Sequence, residues 1–308
     1  MKVLIVASFN KGCFAPFILE QAKALESQSC AVEFFGLQGK GLAGYLSNLP
    51  ALKRKIKAFA PDVIHAHYGL SGLLANLQRR VPVVTTYHGS DINDKKVLPF
   101  SKMAMRLSAW NVFVSQKTMD IAQLRRNYSL LPCGVDLSDK QLTEKTEARR
   151  KMGLASEKRY ILFAGAFDNT VKNAPLAKQA VEALQDDNAE LLELKGYSRD
   201  EVTLLMCAAD AFLMTSYSEG SPQVVKEAMA CSCPIVSVDV GDVRERVEGL
   251  AGCYVAETRD PKELAQLLQK ALAFEGKTKG RERIVADGLE NGQVAKRLVG
   301  IYEKVIEK

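Results

Sequence analysis

No stretch of this sequence stays apolar for anything near the ~18 residues that a membrane-crossing helix needs. The opening MKVLIVASFN holds only five apolar residues in a row. A secretory signal calls for an apolar run of about 7–15 residues and a small-residue cleavage site. The opening is therefore expected to be a buried first strand, and the compartment the cytosol. Cysteine offers no framework either. Cys13, Cys30, Cys133, Cys207, Cys231, Cys233 and Cys253 are odd in number and contain no C-x-x-C unit, which excludes zinc-ribbon patterns and disulfide scaffolds. Cys231 and Cys233 sit in an apolar segment and are expected to be buried thiols. Glycine and proline, at 21 and 10 in 308 residues, are too ordinary for a collagen-like or low-complexity chain. What remains is a globular composition, 47% hydrophobic and 25% charged. The length suits about two domains of ~100–200 residues each.

Charge is unevenly spread. Residues 1–150 carry 21 Lys and Arg against 11 Asp and Glu, a balance of +10, and the rest carry 21 against 25, a balance of −4. One half is expected to face something anionic. No basic stretch interleaved with stacking aromatics occurs, and no helix-turn-helix or zinc-finger pattern. That leaves a membrane surface or phosphorylated substrates as partners, and not nucleic acid.

Short β-branched runs (2–7, 31–35, 62–66, 81–87, 110–114) alternate with amphipathic stretches (14–26, 49–59, 70–79, 99–107, 117–125). The runs are apolar throughout, as strands covered on both faces are. Residues 138–157 are polar, charged and strandless, and read as a linker. The alternation then restarts, with strands expected near 160–164, 190–194, 210–214 and 234–238 and helices near 174–184, 198–207, 222–231, 260–272 and 292–306. The fold class is α/β, with two Rossmann-like, doubly wound parallel sheets. The domains are expected at 1–137 and 158–290, with a closing helix at 291–308.

Ligands in such sheets sit at the carboxyl ends of strands. After the first strand comes the flexible Ser8-Phe9-Asn10-Lys11-Gly12, which is not the G-x-G-x-x-G of a nicotinamide enzyme. His65, His67 and His88, the only histidines, all read as strand-end residues. For His65 a packed imidazole bonded to backbone is the favoured reading, and a three-histidine zinc site the weaker one. The segment 216–237, SYSEGSPQVVKEAMACSCPIVS, runs through a tight Glu219-Gly220-Ser221-Pro222 turn into a helix. Ser221 is expected to cap that helix and Pro222 to occupy its first turn. The amides there form a ready anion site. Glu227, eight residues after Glu219, has apolar neighbours and is expected to be partly buried, so it needs a partner.

EGSPQVVKEAMACSCPIV resembles the E-x7-E segment of the retaining family-4 glycosyltransferases of GT-B fold. HAHYG, YHGSD, LPCGVD (Leu131 to Asp136, where the family usually has NGVD) and GDVRERVEG (Gly241 to Gly249) recur in the family's order. The resemblance spans essentially the whole chain, as in a short bacterial-type member. It implies two Rossmann-like domains across a donor cleft, the first on the acceptor side, and a C-terminal helix crossing back to the first domain. It also implies transfer of a sugar, with retention, from a UDP- or GDP-sugar to a glycan or lipid-linked glycan. That donor is a substrate, and no cofactor or metal is expected; the chain has no D-x-D.

Position by position, Glu227 would accept hydrogen bonds from the donor ribose. Glu219, with the amides of Gly220, Ser221 and the residues after Pro222, would hold the donor sugar. His88 would lie beside the reacting sugar. Lys172, on base rates a surface lysine, falls where the family places a diphosphate-binding lysine. Gly12 corresponds to the glycine loop near the diphosphate. Gly165 stands where the family has Gly-Arg, but Ala166 follows it here, so one diphosphate contact is missing or supplied elsewhere. The base would be read near Gly196, Tyr197 and Ser198. Two rival readings are a nucleotide-sugar epimerase and a catalytically silent partner-binding subunit. Lys53, Arg54, Lys55 and Lys57 form the sharpest basic run, on an amphipathic helix suited to an anionic membrane face.

Overall fold

The computed structural model describes residues 1–137 and 142–307. They form two compact units. One holds residues 1–134 and 289–307, the other 135–137 and 142–288.

The first unit is built on a parallel sheet of β1 (Lys2–Ser8), β2 (Ala31–Leu37), β3 (Val63–His67), β4 (Val83–Tyr87), β5 (Trp110–Phe113) and β6 (Tyr128–Leu130), in the order β2-β1-β3-β4-β5-β6. The chain moves outward from β1 to β2, then crosses back to β3, so the order reverses between β1 and β3. Strands β3 and β4 are buried at every residue, which is why they lack polar alternation. One face is covered by the helices Pro16–Glu26 and Asn291–Ile306. Val294, Ala295, Leu298, Tyr302 and Val305 of the latter join Val3, Ile5 and Val63 in one apolar cluster. The other face takes Leu52 and Ile56 of the helix Leu49–Phe59, beside Leu4 and Ile64.

The second unit repeats the plan with β7 (Arg159–Phe163), β8 (Ala189–Leu192), β9 (Ala211–Met214), β10 (Ile235–Val238) and β11 (Cys253–Ala256), all parallel, in the order β11-β10-β9-β7-β8. Its order reverses between β7 and β9. The loops after those two strands therefore flank the point where α/β sheets open for a ligand.

The stretch 138–157 holds no strand among its described residues. Residues 138–141 lie outside the described residues, as does 308, but Lys145–Met152 is a helix. It is anchored by Arg149, whose Nη2 meets Asp210 Oδ2 at 2.6 Å and whose Nε donates to the Ala208 carbonyl at 3.1 Å. β6 and β11 were not foreseen, because three- and four-residue edge strands carry too little pattern. His65 is the middle residue of β3, not its end.

Candidate active site

In the second unit the site grows from the two loops at the reversal point. After β7 the chain turns at Gly165. A Cβ there would fall 2.9 Å from Lys172 Cγ, so only glycine lets the lysine stem lie flat against the loop. The Asn169 side chain accepts from Val171 N at 3.1 Å and caps the single turn Thr170–Lys172. Lys172 then reaches the loop after β9, where its Nζ lies 2.8 Å from Glu219 Oε1. Their side chains are only 18% and 17% exposed, which removes the surface-lysine reading of Lys172.

That second loop is braced from three sides. Thr215 Oγ1 sits 2.9 and 3.0 Å from the carbonyls of Lys172 and Asn173. Tyr217 N donates to the Val171 carbonyl at 2.9 Å. Arg259 donates to the carbonyls of Thr215 and Ser216 at 3.0 and 2.8 Å, and its guanidinium lies over the Tyr217 ring. Ser221 does not cap the following helix. Its hydroxyl donates to Asp242 Oδ2 at 2.9 Å, and Asp242 is held in turn by Arg246 at 3.0 Å. Pro222 occupies the N-cap position of the helix Gln223–Ala230 rather than its first turn, and no side chain caps that helix. Gly241, at φ 58°, packs so closely that a Cβ would come 2.6 Å from the Gly220 carbonyl oxygen.

Glu227, about one turn into that helix, is 5% exposed. Arg199 Nη2 approaches its Oε1 to 2.7 Å, off the line of a hydrogen bond. Arg199 opens the helix Arg199–Ala208, which Ser198 and Glu201 start with a reciprocal capping box. Tyr197, exposed, precedes the cap, and Gly196 at φ 83° turns the chain there. Gly165, Lys172, Glu219, Gly220, Ser221 and Pro222 are therefore brought together, and Arg199 ties Glu227 to the segment that follows Tyr197.

His88 and Gly12 belong to the first unit. A cavity of about 720 Å³ opens there past the carboxyl ends of β1, β3 and β4, lined among others by Ser8, Lys11, Phe14, Tyr45, Tyr68 and Asp91. Gly12, at φ 73°, lies in the turn closed by its N–H to the Phe9 carbonyl, on the loop that lines this cavity. Tyr68 takes φ 72° and ψ 150°, a region nearly reserved for glycine, and its ring lies 4.5 Å from that of His88. Asp91 locks the two loops. It accepts from the amides of His88 (2.9 Å), Gly89 (3.1 Å) and Gly69 (2.9 Å), and burial pushes its carboxyl up to about 6. His65 is packed as expected but bonds to side chains rather than backbone, with Tyr302 Oη at 2.6 Å and Thr86 Oγ1 at 2.7 Å. The three histidines form a row rather than converging on a point, and no group suited to a metal ion occurs among the described residues.

Residues 17–139 match the model of Glycosyltransferase Family 4, and residues 161–273 that of Glycosyl transferases group 1. The chain carries a family-4 and a group-1 glycosyltransferase domain. The Bacillus subtilis protein named for teichuronic acid biosynthesis, TuaC, is 30% identical over 212 residues, 59% of this chain and 54% of its own. The amylovoran biosynthesis glycosyltransferase AmsK of Erwinia amylovora is 29% identical over 257 residues, 69% of this chain and 61% of its own. The chain thus spans little more than half the length of these relatives. Among solved structures, sucrose-phosphate synthase of Thermosynechococcus elongatus superposes with a TM-score of 0.82 at 17% identity, covering 100% of this chain and 99% of that one. Anabaena HepE in complex with UDP gives 0.77 at 16%, covering 99% and 100%. The fold is that of GT-B enzymes.

Sequence reasoning missed Arg199, Arg259, Asp91 and the Asp242–Arg246 brace. Asp91 and the last had a signal, since YHGSD and GDVRERVEG already stood among the family motifs. A G-x-G-x-x-G run, Gly39 to Gly44, was also passed over. It follows edge strand β2, where Gly39 packs against Gly44 away from the reversal point.

Proposed function

We propose that the protein is a retaining, metal-independent glycosyltransferase. It moves a sugar from a UDP- or GDP-sugar, bound by the second unit, to a glycan or lipid-linked glycan acceptor at the cavity of the first. The observation that carries this reading is the Lys172–Glu219 pair, held across the two loops of the reversal point, with Glu227 buried on the helix that follows. A diphosphate arriving there meets the Lys172 ammonium and the positive end of the dipole of the helix Gln223–Ala230, which together stabilise the charge that grows as it leaves. Glu219 keeps Lys172 in place beforehand and, once the diphosphate takes over the ammonium, is released toward the sugar hydroxyls. Glu227 suits the ribose, because a buried carboxylate gains most from hydroxyl donors. His88 serves as a donor to the reacting sugar. The names of TuaC and AmsK, both polysaccharide-building proteins, support a cell-envelope glycan as acceptor.

A thermal-shift panel of UDP, GDP, ADP, CMP and TDP tests the donor site. Ligand at about 100 times Kd should add about 2.7 kcal/mol. Stabilisation by none of the five would overturn the reading and favour a silent subunit. An epimerase would isomerise the nucleotide sugar with no acceptor present.

A further inference from the structure

Three imidazoles stand in a row in the first unit. His65 and His67 stack with centroids 4.5 Å apart, His67 and His88 with centroids 5.2 Å apart, both at 23° between planes. Their neighbours reveal where the protons lie. His65 Nδ1 faces the Gln21 amide N–H at 3.4 Å and the Tyr302 hydroxyl, which can donate or accept, at 2.6 Å, while Nε2 faces Thr86 Oγ1 at 2.7 Å. Of these only the Gln21 N–H is a donor alone, and it favours the His65 proton on Nε2. His67 is wholly buried, with Nδ1 3.0 Å from His88 Nε2 and its own Nε2 bonded to nothing. Burial, with His65 and His88 beside it, keeps this ring neutral, so it carries a single N–H. On Nε2 that hydrogen would be a buried donor without an acceptor, which is rarer in folded proteins than an acceptor without a donor. On Nδ1 it has an acceptor, His88 Nε2.

We propose that His67 is a positioning residue that sets the tautomer of His88. His67 Nδ1–H donates to His88 Nε2, so neutral His88 carries its proton on Nδ1 and presents that N–H to substrate. The bond made by one ring nitrogen decides the protonation of the other. Cys133 Sγ, 3.9 Å from His88 Nδ1, is a weak acceptor and a weak donor and does not decide the matter. As an acceptor it yields readily to a hydroxyl. The step from tautomer to substrate rests on the role given to His88 above. The tautomer itself does not.

With only three histidines in the chain, protein labelled with ¹⁵N-histidine gives three ring systems, and long-range ¹H–¹⁵N correlation spectra separate protonated from bare ring nitrogens. His88→Gln assigns its signal. Wild type should show His88 protonated on Nδ1 and bare on Nε2. His67→Asn places an amide N–H where Nδ1–H was and should keep that pattern. His67→Asp offers only an acceptor there and should move the His88 proton to Nε2. A wild-type His88 protonated on Nε2, or a pattern indifferent to Asp, overturns the proposal. Should His67→Asp fail to fold, wild type and His67→Asn still decide. In turnover, His67→Asp should lose about a hundredfold in kcat with nucleotide affinity unchanged, and His67→Asn should rescue most of it. If no nucleotide binds, the transferase reading fails while the spectra still answer for the tautomer.

Discussion

Lys172 and Glu219 come from different strand ends and meet at 2.8 Å, each more than four-fifths shielded from water. A pair so placed is already assembled before any ligand arrives. Removing either member leaves the other charge partly buried and uncompensated. Lys172→Ala should lower kcat by about 10²–10³-fold, because the ammonium acts most on the departing diphosphate. Glu219→Ala should lower turnover more than nucleotide affinity. A double-mutant cycle should give a coupling of about 0.5–3 kcal/mol. Unaltered turnover in both single variants would end the proposed mechanism.

Glu227→Ala should weaken nucleotide binding by about 1.5–3 kcal/mol, the worth of hydrogen bonds to a charged acceptor. His88→Ala should lower turnover and leave free-nucleotide affinity alone. Isothermal titration with the nucleotide found in the panel separates the two. A Glu227→Ala protein that binds as tightly as wild type would show that the ribose lies elsewhere.

Gly241→Ala tests the brace without touching any charge. The methyl would sit 2.6 Å from the Gly220 carbonyl at a positive φ, so the loop carrying Glu219 must move. A loss of about 1–3 kcal/mol in stability is expected, with weaker nucleotide binding. Retention of both would mean that the brace does not hold the loop.

Acid should loosen the first unit. Burial pulls His65 down to about 3 and lowers His67 as well. Between the ordinary histidine value of ~6.5 and those lowered values, the unfolded chain binds protons that the folded chain refuses, so stability falls with pH. Asp91, raised to about 6, acts in the opposite sense between its ordinary value and that one. Two histidines against one carboxylate leave a net loss. Trp110, the only tryptophan, lies in β5 and reports on this unit. Its fluorescence should show a lower urea midpoint at about pH 5 than at about pH 7.5. Equal midpoints would mean that the histidines are not held neutral. Tyr302→Phe should cost about 1–3 kcal/mol at neutral pH by removing the shorter of the two hydrogen bonds at buried His65 Nδ1.

Lys53, Arg54 and Lys57 point to solvent from the helix Leu49–Phe59, whereas Lys55 is paired with Glu33. Three charges rather than four are thus available to an anionic surface, at ~1 kcal/mol each. No helix among the described residues is long and apolar enough to cross a membrane. Co-sedimentation should occur with anionic but not neutral vesicles, fade with salt, and weaken when the three become Gln. Equal binding to both vesicle types would remove the membrane from the account.

The α/β class was legible because parallel strands covered on both faces lack polar alternation, and the unbroken apolar run Val3–Ala7 of β1 shows this. The spacing of Glu219 and Glu227 was legible in the motif, but the helix begins only at Gln223, so the reach between the two depends on the loop before it. The family could be read from the same motifs. The strand order was not written locally, since it depends on which strands pair across gaps of tens of residues. That order is what puts the loops of Gly165 and Glu219 side by side. The contact of Lys172 with Glu219, the diversion of Ser221 from cap to Asp242, and the approach of Arg199 to Glu227 all join residues distant in the chain. No periodicity records such pairs. The histidine row was half visible. Composition showed three histidines near strand ends, but the register of β3 against β4, and a tyrosine 237 residues away from His65, decided which nitrogen faces which. Those partners assign the protons along the row, and only the folded chain brings them together.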